Sequence, residues 1–189
     1  MRLLRLLPIA ALFVLLGATG CAPSTTKRLN LPPLQTVARV DLPRYAGTWY
    51  EIASFPQSFQ RGCTGTTAQY ALRDDGEIDV LNRCRLGSLD GEQKEAHGRA
   101  RLPDARDTAK LEVSFFRPFW GDYWIIDLDP DYRYAVVGHP GRDYLWILSR
   151  EPTMAEATYD AIVSRIAAKG YEVDRLQRTL QRRAAQGGT

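Results

Sequence analysis

Between residues 49 and 149, apolar and polar side chains alternate in short runs, and turn-forming residues separate one run from the next. Alternation with period two marks strands that bury one face. The runs are Trp49 to Ser54, Thr66 to Arg73, Ile78 to Asn82, Glu92 to Arg101, Leu111 to Phe115, Asp122 to Asp127, Tyr134 to Gly138 and Tyr144 to Ser149. In the second, Ala68, Tyr70 and Leu72 oppose Thr67, Gln69 and Ala71, and Asp74-Asp75-Gly76 then supplies a tight hairpin turn. The fourth is more polar, with the small Ala96, Gly98 and Ala100 sharing a face. The pattern predicts an all-β domain of about eight antiparallel strands, up-and-down, closed into a barrel that removes its own sheet edges. After Pro152 the period changes. Ala157, Tyr159, Ile162, Val163 and Ile166 recur at helical spacing, Thr153-Met154-Ala155-Glu156 reads as a capping box, and Gly170 ends the run. Tyr171-Glu172-Val173 reads as a ninth, appended strand, and residues 177–189 as a C-terminal tail.

The start of the chain follows another logic. Arg2 and Arg5 precede an apolar stretch from Leu6 to Leu16, interrupted only by Pro8, and then come Ala18-Thr19-Gly20-Cys21. Residues 1–20 are a secretory signal peptide, too short to span a bilayer. Ending on Gly-Cys, the segment resembles a bacterial lipoprotein signal. That resemblance implies cleavage before Cys21 and acylation of its thiol and new amine, and it leaves ordinary cleavage with a spare thiol as the alternative. Several acyl chains hold a protein on a membrane where one is marginal. Ala22, standing where Asp would retain the protein elsewhere, implies the outer membrane, facing the periplasm. Residues 21–40 carry Pro23, Ser24, Thr25, Thr26, Pro32 and Pro33 without alternation and read as a lipidated flexible tether before a domain at 41–176, which Asp41-Leu42-Pro43-Arg44-Tyr45 opens as a short helical turn.

Cys63 and Cys84 remain, an even pair in an oxidising compartment, which favours a disulfide over two buried thiols. A two-residue turn at Asp75-Gly76 would set Cys63 nearly opposite residue 88, so joining the two sulfurs requires a bulge or loop before Thr66.

The 25 basic and 22 acidic residues leave a net charge of +3, with no basic stripe, so nucleic acid is not an expected partner. No catalytic constellation is present. His97 and His139 stand apart, the latter in a Gly-His-Pro-Gly turn, and there is no nucleophile elbow or phosphate-binding glycine loop. Asp127, Asp129 and Asp131 alternate like calcium ligands, but Pro130 and the lack of a following Gly and Glu break that spacing, leaving a turn between strands. No metal and no cofactor are expected.

Gly47-Thr48-Trp49 entering the first strand and Leu145 to Arg150 ending the eighth together resemble the signature of the lipocalins. In that family the Trp plugs the closed end of the barrel, the Arg packs across its indole, and one helix packs outside. The stretches Val113 to Tyr123 and Arg142 to Arg150 bring the resemblance closer, to the bacterial outer-membrane lipocalins, with apolipoprotein D and plant temperature-induced lipocalins further off. It runs from about Asp41 to Val173. It implies a non-catalytic carrier of lysophospholipid or fatty acid, serving membrane upkeep under stress, as a monomer or weak dimer. An aromatic near the pocket mouth corresponds to Trp120. From the residues themselves, Ala53, Thr66, Ala68, Val80, Ala96, Gly98, Ala100, Val113 and Val136 are candidate inward positions, small enough to leave an aliphatic slot, and Tyr70 shares the face of Ala68. Arg117 and Arg142 are placed to attract an anionic head group. The candidate ligand site is therefore Ala68, Tyr70, Val80, Ala100, Val113, Trp120 and Arg142. The competing functions are an enzyme acting on its lipid and a structural lipoprotein whose barrel only docks partners.

Overall fold

The computed structural model describes residues 31–182, so the signal segment and Cys21 lie outside the described residues. A short helix, α1 (Leu42–Tyr45), leads into eight strands: β1 (Gly47–Ser54), β2 (Cys63–Leu72), β3 (Ile78–Leu86), β4 (Gln93–Arg101), β5 (Lys110–Phe116), β6 (Phe119–Leu128), β7 (Tyr134–Gly138) and β8 (Leu145–Ser149). Each pairs antiparallel with the next, and β1 pairs with both β8 and β2, which closes the barrel. A helix, α2 (Glu156–Ala168), and a two-residue strand, β9 (Gln177–Arg178), follow.

The alternation sorts into two apolar clusters. Trp49, Tyr70, Ile78, Val80, Ala100, Leu111, Ile125, Val137 and Leu148 face the lumen. Ile52, Phe55, Ile126, Leu145 and Ile147 face outward and are covered by Ile162 and Ile166 of α2, both fully buried. Arg165 fastens the helix, donating to Asp127 Oδ2 at 2.8 Å and to the Tyr134 hydroxyl at 2.9 Å. Ala53 and Val136, expected to face inward, belong to this outer cluster. A register shift between Glu51 and Ala53 reverses the parity counted from Trp49, and β7 is apolar on both faces, so its pattern does not distinguish them.

The β2–β3 turn has three residues, with Gly76 at φ 83° and its N–H bonded to Arg73 O. Its register sets Cys63 opposite Leu86, after a bulge between Thr64 and Thr67. That bulge brings Cys63 to Cys84, with Cα atoms 5.4 Å apart and the sulfurs bonded.

Four expectations at the ends of the domain are corrected. The capping box does not form: Glu156 is the first helical residue, Ala155 stands at the cap without a side-chain bond, and the Glu156 carboxylate pairs with Arg178 instead. Residues 171–173 are not a strand; a 3-10 turn, Val173–Arg175, precedes β9, which pairs with β1 beyond the point where β1 leaves β2. The described part of the C-terminal tail is docked there, with Thr179 N–H on Ile52 O, Gly65 N–H on Leu180 O, and Gln181 Nε2 on Glu51 O and Thr66 O. Residues 32–40 are not a free tether either. Leu34 and Val40 are buried, and Val37 N–H bonds Ile125 O. Leu34, Val37 and Val40, three apart, pack as a strap without needing strand alternation.

Candidate functional site

Polar and aromatic groups converge at the end of the barrel where β1 begins. Trp49 is fully buried, and its Nε1 donates to Tyr45 O at 2.8 Å. The Arg150 guanidinium lies 3.8 Å from the centre of the indole. Its Nη1 donates to Thr48 O at 2.9 Å, and Nη2 points at Arg44 O, Tyr45 O and Ala46 O, between 2.7 and 3.2 Å. One side chain thus satisfies the carbonyls that α1 exposes where it stops. Gly47 is needed beside it: its φ is 94°, and a Cβ there would stand 3.3 Å from Arg150 Nη1.

Above this plug three phenols meet. Tyr123 OH is 2.7 Å from Tyr45 OH and 2.8 Å from Tyr70 OH. Burial pushes the Tyr70 pKa up to about 12 and raises Tyr45 and Tyr123 well above the ordinary phenol range, so all three are neutral at physiological pH. The three hydroxyls carry three protons but make two bonds with one another. They adjoin a cavity lined by Leu42, Ile78, Ala100, Leu111 and Val113, with room for about one water. This is the floor of the lumen.

Of the expected ligand residues, Tyr70, Ala100 and Val113 line that cavity, and Ala68 and Val80 belong to the lumen's apolar cluster. Tyr45, Tyr123, Ile78 and Leu111 were missed. Their signal was present: Gly121, Tyr123 and Ile125 share the parity that the Val113–Gly121 pairing points inward.

Trp120 and Arg142 are not at the lumen. Trp120 alternates with Gly121 and lies on the outer face, 4.1 Å from the Arg101 guanidinium and 5.7 Å from that of Arg117. Arg117 in turn forks onto the Glu77 carboxylate at 3.0 and 3.2 Å. Arg142 is buried, and its guanidinium is spent on backbone carbonyls: Nε to Lys169 O, Nη1 to Pro140 O and Nη2 to Pro32 O. It ties the end of α2 to the N-terminal strap, with each of its three nitrogens engaged and the side chain buried.

The upper lumen is more polar. Glu51 is buried opposite Leu148, accepting from Ser54 Oγ, from Gln60 Nε2 at 2.8 Å and from Thr179 Oγ1. Gln60 Oε1 accepts from Trp146 Nε1 at 3.0 Å. Among the described residues no cluster of His, Cys, Asp and Glu is arranged to hold a metal ion.

A family model described as a lipocalin-like domain matches residues 40–181. Outer membrane lipoprotein Blc of Escherichia coli (strain K12) is 40% identical over 173 residues, covering 91% of this chain and 95% of that protein. Temperature-induced lipocalin-1 of Arabidopsis thaliana is 39% identical, covering 78% of this chain and 83% of the plant protein. Mouse (Mus musculus) apolipoprotein D is 33% identical, covering 79% and 80%. Among solved structures, insecticyanin of the tobacco hornworm Manduca sexta superposes with a TM-score of 0.62 at 22% identity, over 79% of this chain and 85% of its own, a likeness of fold alone. On the closed meander, the plugged end and these matches, the chain belongs to the lipocalin family.

Proposed function

We propose that this protein is a non-catalytic lipid carrier whose lumen takes a single acyl chain, from a fatty acid or a lysophospholipid, tail towards Trp49. The observation that carries the reading is a lumen lined by Ile78, Val80, Ala100, Leu111 and Val113 and sealed at one end by the Trp49–Arg150 plug. Apolar walls with a few polar groups suit an aliphatic ligand. The floor cavity is small, so an entering chain displaces wall side chains as it goes. Acylation of Cys21 would hold the carrier at the outer membrane, facing the periplasm. The names of the bacterial relatives support that placement, and the plant relative's name, temperature-induced, supports a role under stress, which we read as membrane upkeep. The lumen's phenols favour carriage over catalysis, because groups kept neutral up to about pH 12 are poor acids and bases at neutral pH.

Titration of the protein with saturated fatty acids and lysophospholipids of increasing chain length tests this. Each buried methylene should add about 0.8 kcal/mol until the lumen is full. A flat dependence on chain length, or no binding, overturns the reading and favours a lipoprotein that uses its barrel only to dock partners.

A further inference from the structure

β1 and β2 pair only from Gly47 opposite Tyr70 to Tyr50 opposite Thr67, and beyond that point the two strands part. Residues 177–182 fill the space between them. Gln177 and Arg178 pair with Ser54 and Ala53, Thr179 N–H bonds Ile52 O, and Gly65 N–H bonds Leu180 O. The Gln181 amide spans the space, donating to Glu51 O and to Thr66 O at 2.8 Å each. Hydrogen bonds hold this strap, and apolar packing does not. No side chain from 177 to 182 is buried and none enters either apolar cluster, whereas Leu176, just before them, packs against the outer one. Its two ion pairs, Arg178 with Glu156 and Arg182 with Asp90, join exposed groups and add little.

Behind the strap lie polar groups. Glu51, Ser54 and Thr66 are buried there, and the Glu51 carboxylate accepts from Ser54, Gln60 and Thr179. Glu51 also stands opposite Leu148 of the lumen cluster, so this space leads to the lumen. Lifting the strap uncovers groups that water can bond and gives up little apolar burial. Both edges keep their places without it: Glu51 to Ser54 stay paired to β8, and Cys63 at the start of β2 is bonded to Cys84 of β3. Segments with few buried apolar contacts open locally, well below the free energy of global unfolding. We propose that residues 177–182 are a detachable strap over a side opening of the barrel, latched by Glu51 through Thr179, and that the lumen's single-chain ligand enters and leaves there. The passage rests on the carrier reading, and the opening does not.

The test uses the mature-length chain, residues 21–189 with Cys21→Ser. Native-state hydrogen exchange reads the opening without a ligand. The amides of Thr179 and Gly65 should exchange at least about 100-fold faster than those of the β2–β3 ladder. Their rate should barely respond to low urea, because local opening uncovers little surface. Glu51→Gln and Thr179→Val each weaken the latch and should speed exchange at Gly65 about tenfold, with the ladder within about twofold of the parent. Stopped-flow mixing with a fluorescent single-chain fatty acid reads the passage. Gln181→Ala and Thr179→Val should speed association and release alike, by about tenfold, and leave Kd unchanged. Strap amides that share the urea dependence of the ladder overturn the opening. Parent-like association and release in both variants, with fast strap exchange, overturn the passage. A parent that binds no fatty acid or lysophospholipid at equilibrium counts against the carrier reading and removes the passage with it, while exchange still decides the opening.

Discussion

At the end of the barrel where β1 begins, Trp49 is buried, its N–H is bonded, its face is covered by Arg150, and the carbonyls of Arg44, Tyr45, Ala46 and Thr48 converge on that guanidinium. At the other end, Phe59 and Leu86 stand in solvent, and the strands are held by different means: the Cys63–Cys84 bond and the strap at residues 177–182 laid into the gap between β1 and β2. The plugged end is built from packing and satisfied hydrogen bonds, and the open end from a covalent staple and backbone stitching that leave apolar surface exposed. The two ends are thus stabilised by different means, one by a packed plug and the other by a covalent bond and main-chain pairing.

The largest effect should come from breaking the plug. Trp49→Ala should cost about 3–5 kcal/mol through the cavity it leaves, measured by urea denaturation. Arg150→Lys should not restore what Arg150→Ala loses, because an ammonium cannot lie over the indole and reach the same set of carbonyls together. A loss under about 1 kcal/mol for Trp49→Ala would mean that the plug is dispensable and the comparison of the two ends fails.

Reduction of the disulfide tests the open end. Removing Cys63–Cys84 should lower stability by about 2–4 kcal/mol on the loop-closure account, with thiol alkylation and mass spectrometry reporting the bond and denaturation its effect. Trp49 fluorescence in the reduced native protein should stay unchanged, since the bond lies at the opposite end.

Alkaline titration reads the buried phenols at both ends. Tyr70 and Tyr171 are both pushed up to about 12 by burial, whereas a phenol in the unfolded chain titrates near 10. A group that ionises less readily when folded contributes stability that is fully present below pH of about 10 and is lost as pH rises through about 12. Phenolate absorbance should therefore show a late phase between those values, coincident with unfolding. Tyr123→Phe, which removes both bonds of the triad, should cost about 1–2 kcal/mol and shrink that phase. A single phase near pH 10 in the folded protein would open the lumen floor to water.

Much of this architecture is legible in residue order. Strands such as β2 and β5 alternate cleanly, and the 3.6-residue spacing of Ile162 and Ile166 marks α2 before any coordinates. The faces were less legible where register slips. The bulge between Glu51 and Ala53 turns Ala53 outward, and no count of alternation across it can reveal that. The strap at residues 177–182 is bonded through main-chain groups and two polar side chains, Thr179 and Gln181, and so leaves no hydrophobic signature. Arg142 was misread for a different reason: an arginine in a turn reads as solvated, and its burial depends on carbonyls contributed by Pro32 and Lys169, far apart in sequence.

The smallest expected effect is the one that most sharpens the contrast between inside and outside. Trp120 lies on the outer face between Arg101 and Arg117, and cation–aromatic contacts at such exposed sites are worth about 0.5–1 kcal/mol. Trp120→Ala should therefore lower stability by no more than that, and leave acyl-chain affinity unchanged in the same fatty-acid titration used for the lumen. Arg142→Ala is the paired control. It leaves the Lys169 and Pro32 carbonyls without their donor and should cost about 1–3 kcal/mol, again with affinity per folded molecule preserved. The pair should thus separate in stability and coincide in binding. A fall in lipid affinity for Trp120→Ala, at unchanged stability, would place the indole at the mouth of the lumen in the bound state. It would mean that the β5–β6 hairpin swings inward when ligand enters, and that the two faces of β6 exchange roles there.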